Sequence, residues 1–413
     1  MNSQHPQTSF IHKGASSDAQ SGATHTPIYQ SAGFSYESMQ ALEDVFQGKT
    51  YGHFYSRNTN PTIESLEKRL TAMDSGLGAV VVSSGMAAIT TTVLALAKAG
   101  DHIIVGKSLF GASYYLFKDY INNCGIQVSF VDPTSIDEFK AAITAKTKLF
   151  FVESIGNPKL DVPNLKELAS LATAHNAVLV VDSTFTTPYL LPAKKLGVHV
   201  VLYSTTKYVA GGGSTIGGAI VDTGLTDWKE FSSTQIQSLK DYGKLAFLAS
   251  VRKVRSNAGS CQSPFNAFLT SLGIDTLVLR MKAHCENALK LAQYLETHNK
   301  VENVNYPGLQ AHKQHSVAKT QFETGFGGML TLRLGSKERV FKFIDTLKLA
   351  KTLVNLGDAK TLVVYPATTI YRNLTNQQRE EAGVYDDLVR VSVGLEHSED
   401  IVADFSNALE ELK

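Results

Sequence analysis

The chain has 413 residues, 43% of them hydrophobic and 19% charged, a balance that supports two or three domains and excludes a disordered, collagenous or disulfide-stapled polypeptide. Lys+Arg 39 against Asp+Glu 38 leave a net charge of +1, so no basic field exists to hold nucleic acid or an anionic membrane. The cysteines, Cys124, Cys261 and Cys285, are too scattered for a metal or redox pair, and with no apolar signal in residues 1–20 and no bilayer-length run, a cytoplasmic protein without metal or membrane partner is expected.

Residues 1–58 carry few helix or strand signals and predict an extended arm, hard to hold on its own surface and so expected to dock on a neighbouring subunit. A helix starts behind Asn60-Pro61-Thr62 and places Ile63, Leu66, Leu70 and Met73 at helical spacing. A strand over 79–82, a helix over 85–99 stopped by Gly100 and a strand over 102–105 follow. Further β-branched runs at 126–131, 149–152, 178–181, 200–203 and 216–221 bring the strands to seven, several apolar on both faces as buried parallel strands are. Residues 59–255 therefore predict an α/β domain with a mostly parallel seven-stranded sheet. A long amphipathic helix over 277–295, a strand over 329–334 and a further helix and strand predict a smaller α+β domain over 256–413.

Such sheets often hold nucleotides, but no GxGxxG string exists, and Gly211-Gly212-Gly213 lacks the third glycine at the required offset. Gly48-Lys49-Thr50 and Gly106-Lys107-Ser108 imitate the end of a phosphate loop, yet Glu43 and Asp101 stand where its first glycine belongs.

Three other places carry chemistry. Lys207, in Tyr203-Ser204-Thr205-Thr206-Lys207-Tyr208, follows a strand at the C-terminal mouth of the sheet, where ligands bind. It reads either as a Schiff-base lysine or as a solvated strand-end lysine. Asp182 ends the apolar run Val178-Leu179-Val180-Val181, and a buried carboxylate needs a partner. A protonated pyridine nitrogen is one such partner; a helix cap or a structural ion pair are the others. Ser83-Ser84-Gly85-Met86 is a strand-to-helix turn whose free N–H groups suit a phosphate, although such turns are common.

These pieces belong to a longer series: Pro27-Ile28-Tyr29-Gln30, Tyr55-Ser56-Arg57 with Asn60-Pro61-Thr62, Ser84-Gly85-Met86, Glu153-Ser154 with Asn157-Pro158, Val181-Asp182, residues 204–208 and residues 390–396. In that order, and over nearly the whole chain, they resemble the Cys/Met-metabolism family of pyridoxal-phosphate (PLP) enzymes, the cystathionine γ-synthase-like group of fold type I. The family includes cystathionine synthases and lyases, methionine γ-lyase and the O-acylhomoserine sulfhydrylases. The resemblance implies that Lys207 holds PLP covalently and moves protons between substrate carbons, and that Asp182 pairs with the pyridinium. It implies that Ser84, Gly85, Met86, Ser204 and Thr206 cradle the phosphate, while Tyr55 and Arg57 reach it from the neighbouring subunit of a catalytic dimer, two dimers forming a homotetramer. Phe110 is then the ring-stacking residue, Asn157 the partner of the phenolic oxygen, Arg390 the fork for the substrate α-carboxylate, and Asn355 a further substrate contact.

Departures from the family pattern narrow the activity. Phe110 stands where tyrosine is usual, so stacking survives and the phenol does not. Ala112 replaces the cysteine typical of methionine γ-lyases, which weakens a lyase reading. Val354-Asn355-Leu356-Gly357-Asp358-Ala359-Lys360, with Pro366-Ala367-Thr368-Thr369, looks most like sulfhydrylases, and Phe110-Gly111 most like the O-succinylhomoserine type. Tyr365 takes the place of a usual histidine, which predicts one altered pocket wall. The expectation is γ-replacement on an O-acylhomoserine, succinyl slightly ahead of acetyl, with sulfide to give homocysteine in methionine biosynthesis. Cystathionine γ-synthase, a methionine or cystathionine γ-lyase, and an inert PLP- or nucleotide-binding protein remain as alternatives.

Overall fold

The computed structural model describes residues 5–15, 17, 18 and 21–412; residues 1–4, 16, 19 and 20 of the expected arm, and residue 413, lie outside them. Seven strands form the large sheet: β1 (Gly78–Val82), β2 (His102–Gly106), β3 (Gln127–Val131), β4 (Thr147–Glu153), β5 (Val178–Asp182), β6 (Val200–Tyr203) and β7 (Gly218–Asp222). Their order is β1-β7-β6-β5-β4-β2-β3, with only β7 antiparallel to its neighbours. Successive strand residues point to opposite faces. Val81, Phe150, Leu179, Val181 and Val201 accordingly join one apolar core, and Val80, Phe151, Val180 and Val200 join another on the other face. Burial on both sides explains why these strands read as unbroken apolar runs.

Two predicted ends move for local reasons. The helix behind Ser84 stops at Leu96, because Ala97 turns extended and the Asp101 carboxylate accepts the Lys98 amide at 2.9 Å. The last strand starts at Gly218 instead of 216, because the Gly217 amide donates to Thr206 Oγ1 at 3.0 Å and closes the preceding loop.

The arm is not devoid of regular structure, which corrects the reading of it as merely extended. It holds two short helices, α1 (Pro6–His12) and α2 (Met39–Phe46). Proline in the first turn starts α1, and Phe10 seats in the core of its own chain. Ser38 caps α2, whose Met39 and Phe46 stay 76% and 63% exposed. Then come α3 (Pro61–Met73), capped by the Asn60 side chain, and α4 (Gly85–Leu96).

The second sheet contains β8 (Asn303–Asn305), β9 (Met329–Arg333), β10 (Lys351–Thr352), β11 (Leu362–Val364) and β12 (Leu388–Ser392) in the order β10-β11-β12-β9-β8. The helix Ala246–Ala258 runs straight through residue 255. The helix Leu277–Glu296 belongs to both cores: Met281 and Cys285 pack with the large sheet, Ala288, Leu291 and Leu295 with the small one. Among the described residues no helix is long and apolar enough to cross a membrane.

Candidate active site

β1, β4, β5 and β6 point the same way, and their C-terminal ends open on one cavity of about 280 Å³. From the turn after β1 come Ser84, Gly85 and Met86, from the segment after β2 Phe110, from β4 and the turn behind it Glu153 and Asn157. Asp182 closes β5, Ser204, Thr206 and Lys207 follow β6, and the smaller domain adds Asn355 and Arg390. One space therefore gathers eleven of the thirteen residues singled out in the sequence. Tyr55 and Arg57 are the exceptions. Tyr55 is 44% exposed, the Arg57 guanidinium donates to the Ser256 carbonyl, and neither lines the cavity of its own chain. Tyr365 is no pocket wall either, which corrects that expectation: it is buried against Phe341, and its hydroxyl donates to the Asp386 carbonyl at 3.1 Å.

The Ser84 hydroxyl accepts the Ala87 amide at 3.1 Å and caps α4, and the amides of Gly85 and Met86 have no acceptor among the described residues. A Cβ on Gly85 would lie 2.7 Å from that of Ser204, so glycine is what lets the first turn of α4 approach the Lys207 loop. Thr206 Oγ1 donates to the Gly217 carbonyl at 3.2 Å while accepting its amide, which closes that loop into a fixed ring.

Charge is distributed unevenly in this space. Asp182 accepts the Thr184 amide at 2.9 Å and pairs with no cation among the described residues. Burial raises its pKa, and the Thr184 side chain and amide only partly offset this. Arg390 is just 2% exposed and also lacks a carboxylate partner; it donates to Asn157 Oδ1 and to the Asn355 carbonyl, both at 3.2 Å, and burial lowers its pKa. In the same cavity the Lys207 amine donates to Asn355 Oδ1 at 2.6 Å, its pKa brought down to about 8 by burial and then by Arg390. The cavity thus holds a buried carboxylate and a buried guanidinium, each without a counter-ion among the described residues, and an amine whose pKa is lowered. That set fits a group with a protonated ring nitrogen, an anionic tail over α4 and an aldehyde for the lysine, together with an amino-acid carboxylate for Arg390.

Several lining residues were not singled out in the sequence. Glu153 appeared only as part of a string; here each of its carboxylate oxygens accepts an amide, from Phe110 at 2.8 Å and from Asn157 at 3.0 Å. Its pKa is raised well above the usual range by burial and the neighbouring Asp182. Thr184 accepts the Ser204 amide at 2.8 Å and so couples the Asp182 turn to the lysine loop. Its place two residues after Asp182, where a carboxylate commonly accepts a backbone amide, was the available signal. The apolar walls, including Ile155, Phe185, Ile216 and Leu356, come from four separate segments with no common pattern.

The fold and this site define the class: a PLP-dependent enzyme of fold type I. The profile described as Cys/Met metabolism PLP-dependent enzyme matches residues 7–410, and the chain belongs to that family. It is 39% identical to the homocysteine synthase of Schizosaccharomyces pombe, over 99% of both chains. It is also 39% identical to the O-acetyl-L-homoserine sulfhydrylase of Corynebacterium glutamicum, covering 96% of this chain and 95% of that one. A Campylobacter jejuni chain solved with N'-pyridoxyl-lysine-5'-monophosphate superposes with a TM-score of 0.91 at 29% identity, covering 99% of this chain and all of that one. PLP is the cofactor.

Proposed function

We propose that this enzyme exchanges the acyl group of an O-acylhomoserine for sulfide, giving homocysteine. PLP, when bound, supplies the electron sink that stabilises negative charge at the substrate carbon. Asp182 keeps the proton on the ring nitrogen, Arg390 grips the α-carboxylate, and Asn355 and Arg390 orient the substrate against Lys207. Phe110 covers the ring, Asn157 meets its phenolic oxygen, and the amides of Gly85 and Met86 with Ser204 and Thr206 take the phosphate. The Lys207 amine, poised near pH 8, takes and returns protons at the substrate carbons.

One observation carries the choice of substrate. Among the described residues of its own chain no phenol, thiol or imidazole lines the cavity, Tyr55 of a second copy is assigned to the phosphate, and the two oxygens of Glu153 are turned to the amides of Phe110 and Asn157. A departing carboxylate, with a pKa of about 4, leaves without a proton, whereas a thiolate, at about 8.5, needs an acid to receive one. An ester is therefore the better substrate and a thioether the worse one, in line with the names of the relatives. Among the described residues two cations, Lys207 and Arg390, line the cavity of their own chain, and each has a task, as does Arg57 of a second copy at the phosphate. A succinyl group would bring a second carboxylate with no third cation of this chain to meet it, so the acetyl ester is favoured over the succinyl ester suggested by Phe110-Gly111.

The test is kcat/KM for both esters with saturating sulfide, beside methionine without a nucleophile. Acetyl is expected to lead by about tenfold or more; a succinyl lead overturns the acyl assignment, and methionine elimination faster than either ester overturns the replacement reading. Phe110→Tyr, which restores an acid over the ring, is expected to raise methionine elimination while leaving ester turnover within about threefold. An unchanged ratio of the two activities would show that the missing phenol does not set the preference.

The same reading makes the site a shared one, completed by Tyr55 and Arg57 of a second copy, with two such dimers in a tetramer. Their position outside their own cavity supports it. Mixing Arg57→Ala with Lys207→Ala subunits and allowing exchange is expected to restore about a quarter of wild-type activity, since random pairing makes half the molecules mixed and one site in each mixed dimer is intact. No recovery after demonstrated exchange would remove the shared site.

A further inference from the structure

Phe110 and Asn157 lie 47 positions apart in the chain, on different loops, yet two buried groups tie these loops together from opposite chemical sides. Glu153 is the acceptor, taking the amide of Phe110 on one oxygen and the amide of Asn157 on the other, at 2.8 and 3.0 Å. Tyr371 is the donor: its hydroxyl, fully buried, donates to the Asn157 carbonyl at 2.7 Å and to the Leu109 carbonyl at 3.2 Å. Each group therefore bonds both loops. Tyr371 belongs to the smaller domain's core, whereas Glu153 ends a strand of the large sheet. A third contact locks the Asn157 side chain, whose Oδ1 accepts from Arg390.

We propose that Glu153 and Tyr371 form a brace that sets the spacing between the ring-covering Phe110 and the Asn157 amide, and that ties this spacing to the smaller domain. Neither is a catalytic residue; both are positioning residues. The geometry gives the reason. Phe110 immediately precedes the helix Gly111–Tyr115, and its own side chain makes no polar contact that would fix it. Its backbone is held at the amide by Glu153, with the preceding carbonyl held by Tyr371. Phe110 and Asn157 face the same cavity, so a shift of either loop changes the width of the slot into which a flat ring fits. A carboxyl group suits the acceptor side because it offers two oxygens in a fixed plane, one for each amide, and a phenol suits the donor side because one O–H can be shared between two carbonyls. The brace depends on PLP being the cofactor and not on the identity of the acyl group or the nucleophile.

The test uses Glu153→Gln and Tyr371→Phe, which keep side-chain volume. Glutamine presents one acceptor and one N–H₂, so it cannot receive both amides; phenylalanine removes the shared donor altogether. In the apoenzyme, amide hydrogen exchange over residues 109–111 and 156–157 is expected to speed up on the order of tenfold in either variant, with strand β7, separated from β4 by β5 and β6 in the sheet, unchanged. In the holoenzyme, the pH titration of the cofactor's absorbance is expected to shift, and kcat to fall more than KM rises. The double variant should lose less than the product of the single effects, since either change already frees the same loops. Exchange and absorbance titration at wild-type values in both variants, with only a lower melting temperature, would overturn the brace and leave two ordinary core groups. If Glu153→Gln does not fold, Tyr371→Phe alone decides the question, because it reads the same two loops and leaves no buried N–H unpaired.

Discussion

Lys207→Ala is expected to lower turnover by about 10⁴-fold or more, because one amine both holds the cofactor and moves the protons. The purified wild-type enzyme should be yellow, and borohydride should fix the cofactor on the chain; the variant should fold and lose that attachment. Cofactor still trapped on Lys207→Ala would place the covalent link elsewhere. The apoenzyme offers a second readout. Burial and then Arg390 lower the Lys207 pKa from 10.5 to about 8 in the folded state. Between these values the unfolded chain binds the additional proton, so unfolding free energy rises with pH across this window. The penalty of the buried amine is full below about pH 8 and gone above about pH 10.5. Wild-type apoenzyme is therefore expected to gain stability relative to Lys207→Ala as pH rises from 8 to 10, measured by thermal melts; parallel curves would mean that the amine is not held as described.

Asp182→Ala is expected to lower kcat on the order of 10²–10³-fold, the size typical for loss of one preorganised electrostatic partner. The carboxylate ends a buried strand without a cation among the described residues, so removing it takes away an uncompensated charge and not a working ion pair. Apoenzyme stability should accordingly be little changed, while catalysis collapses. Near-normal turnover with a large drop in melting temperature would make Asp182 a structural residue. Asp182→Asn separates the remaining possibilities: it retains volume and the bond from the Thr184 amide but not the charge, and it should fall with alanine in kcat.

Much of this architecture could be read along the chain because the large sheet is covered on both faces. Burial on two sides turns strands such as Leu149 to Val152 into unbroken apolar runs, and the intervening helices show helical spacing, so the seven-stranded sheet is local information repeated. The short helices of the arm escaped notice because α2 buries none of its side chains and α1 is only seven residues long; neither shows an apolar face long enough to count. The break between cores was also hidden, since one continuous amphipathic helix serves both and changes partner between Cys285 and Ala288 without any change of pattern.

By itself, the sequence determined the chemistry of this enzyme: a lysine after a buried strand, a carboxylate ending another, a turn with free amides and an arginine in a C-terminal strand are residue types whose roles depend on what they are. Only the tertiary structure decided which of them meet. It left Tyr55 and Arg57 outside the cavity of their own chain and moved Tyr365 away from it. It brought Glu153 and Tyr371 to bear on two loops far apart in the chain, and showed Lys207 and Arg390 as the cations that line the space among the described residues. Identity and local pattern are written residue by residue, whereas hydrogen bonds between distant segments and the surplus of charge in a buried cavity arise only when packing has chosen the neighbours and excluded water.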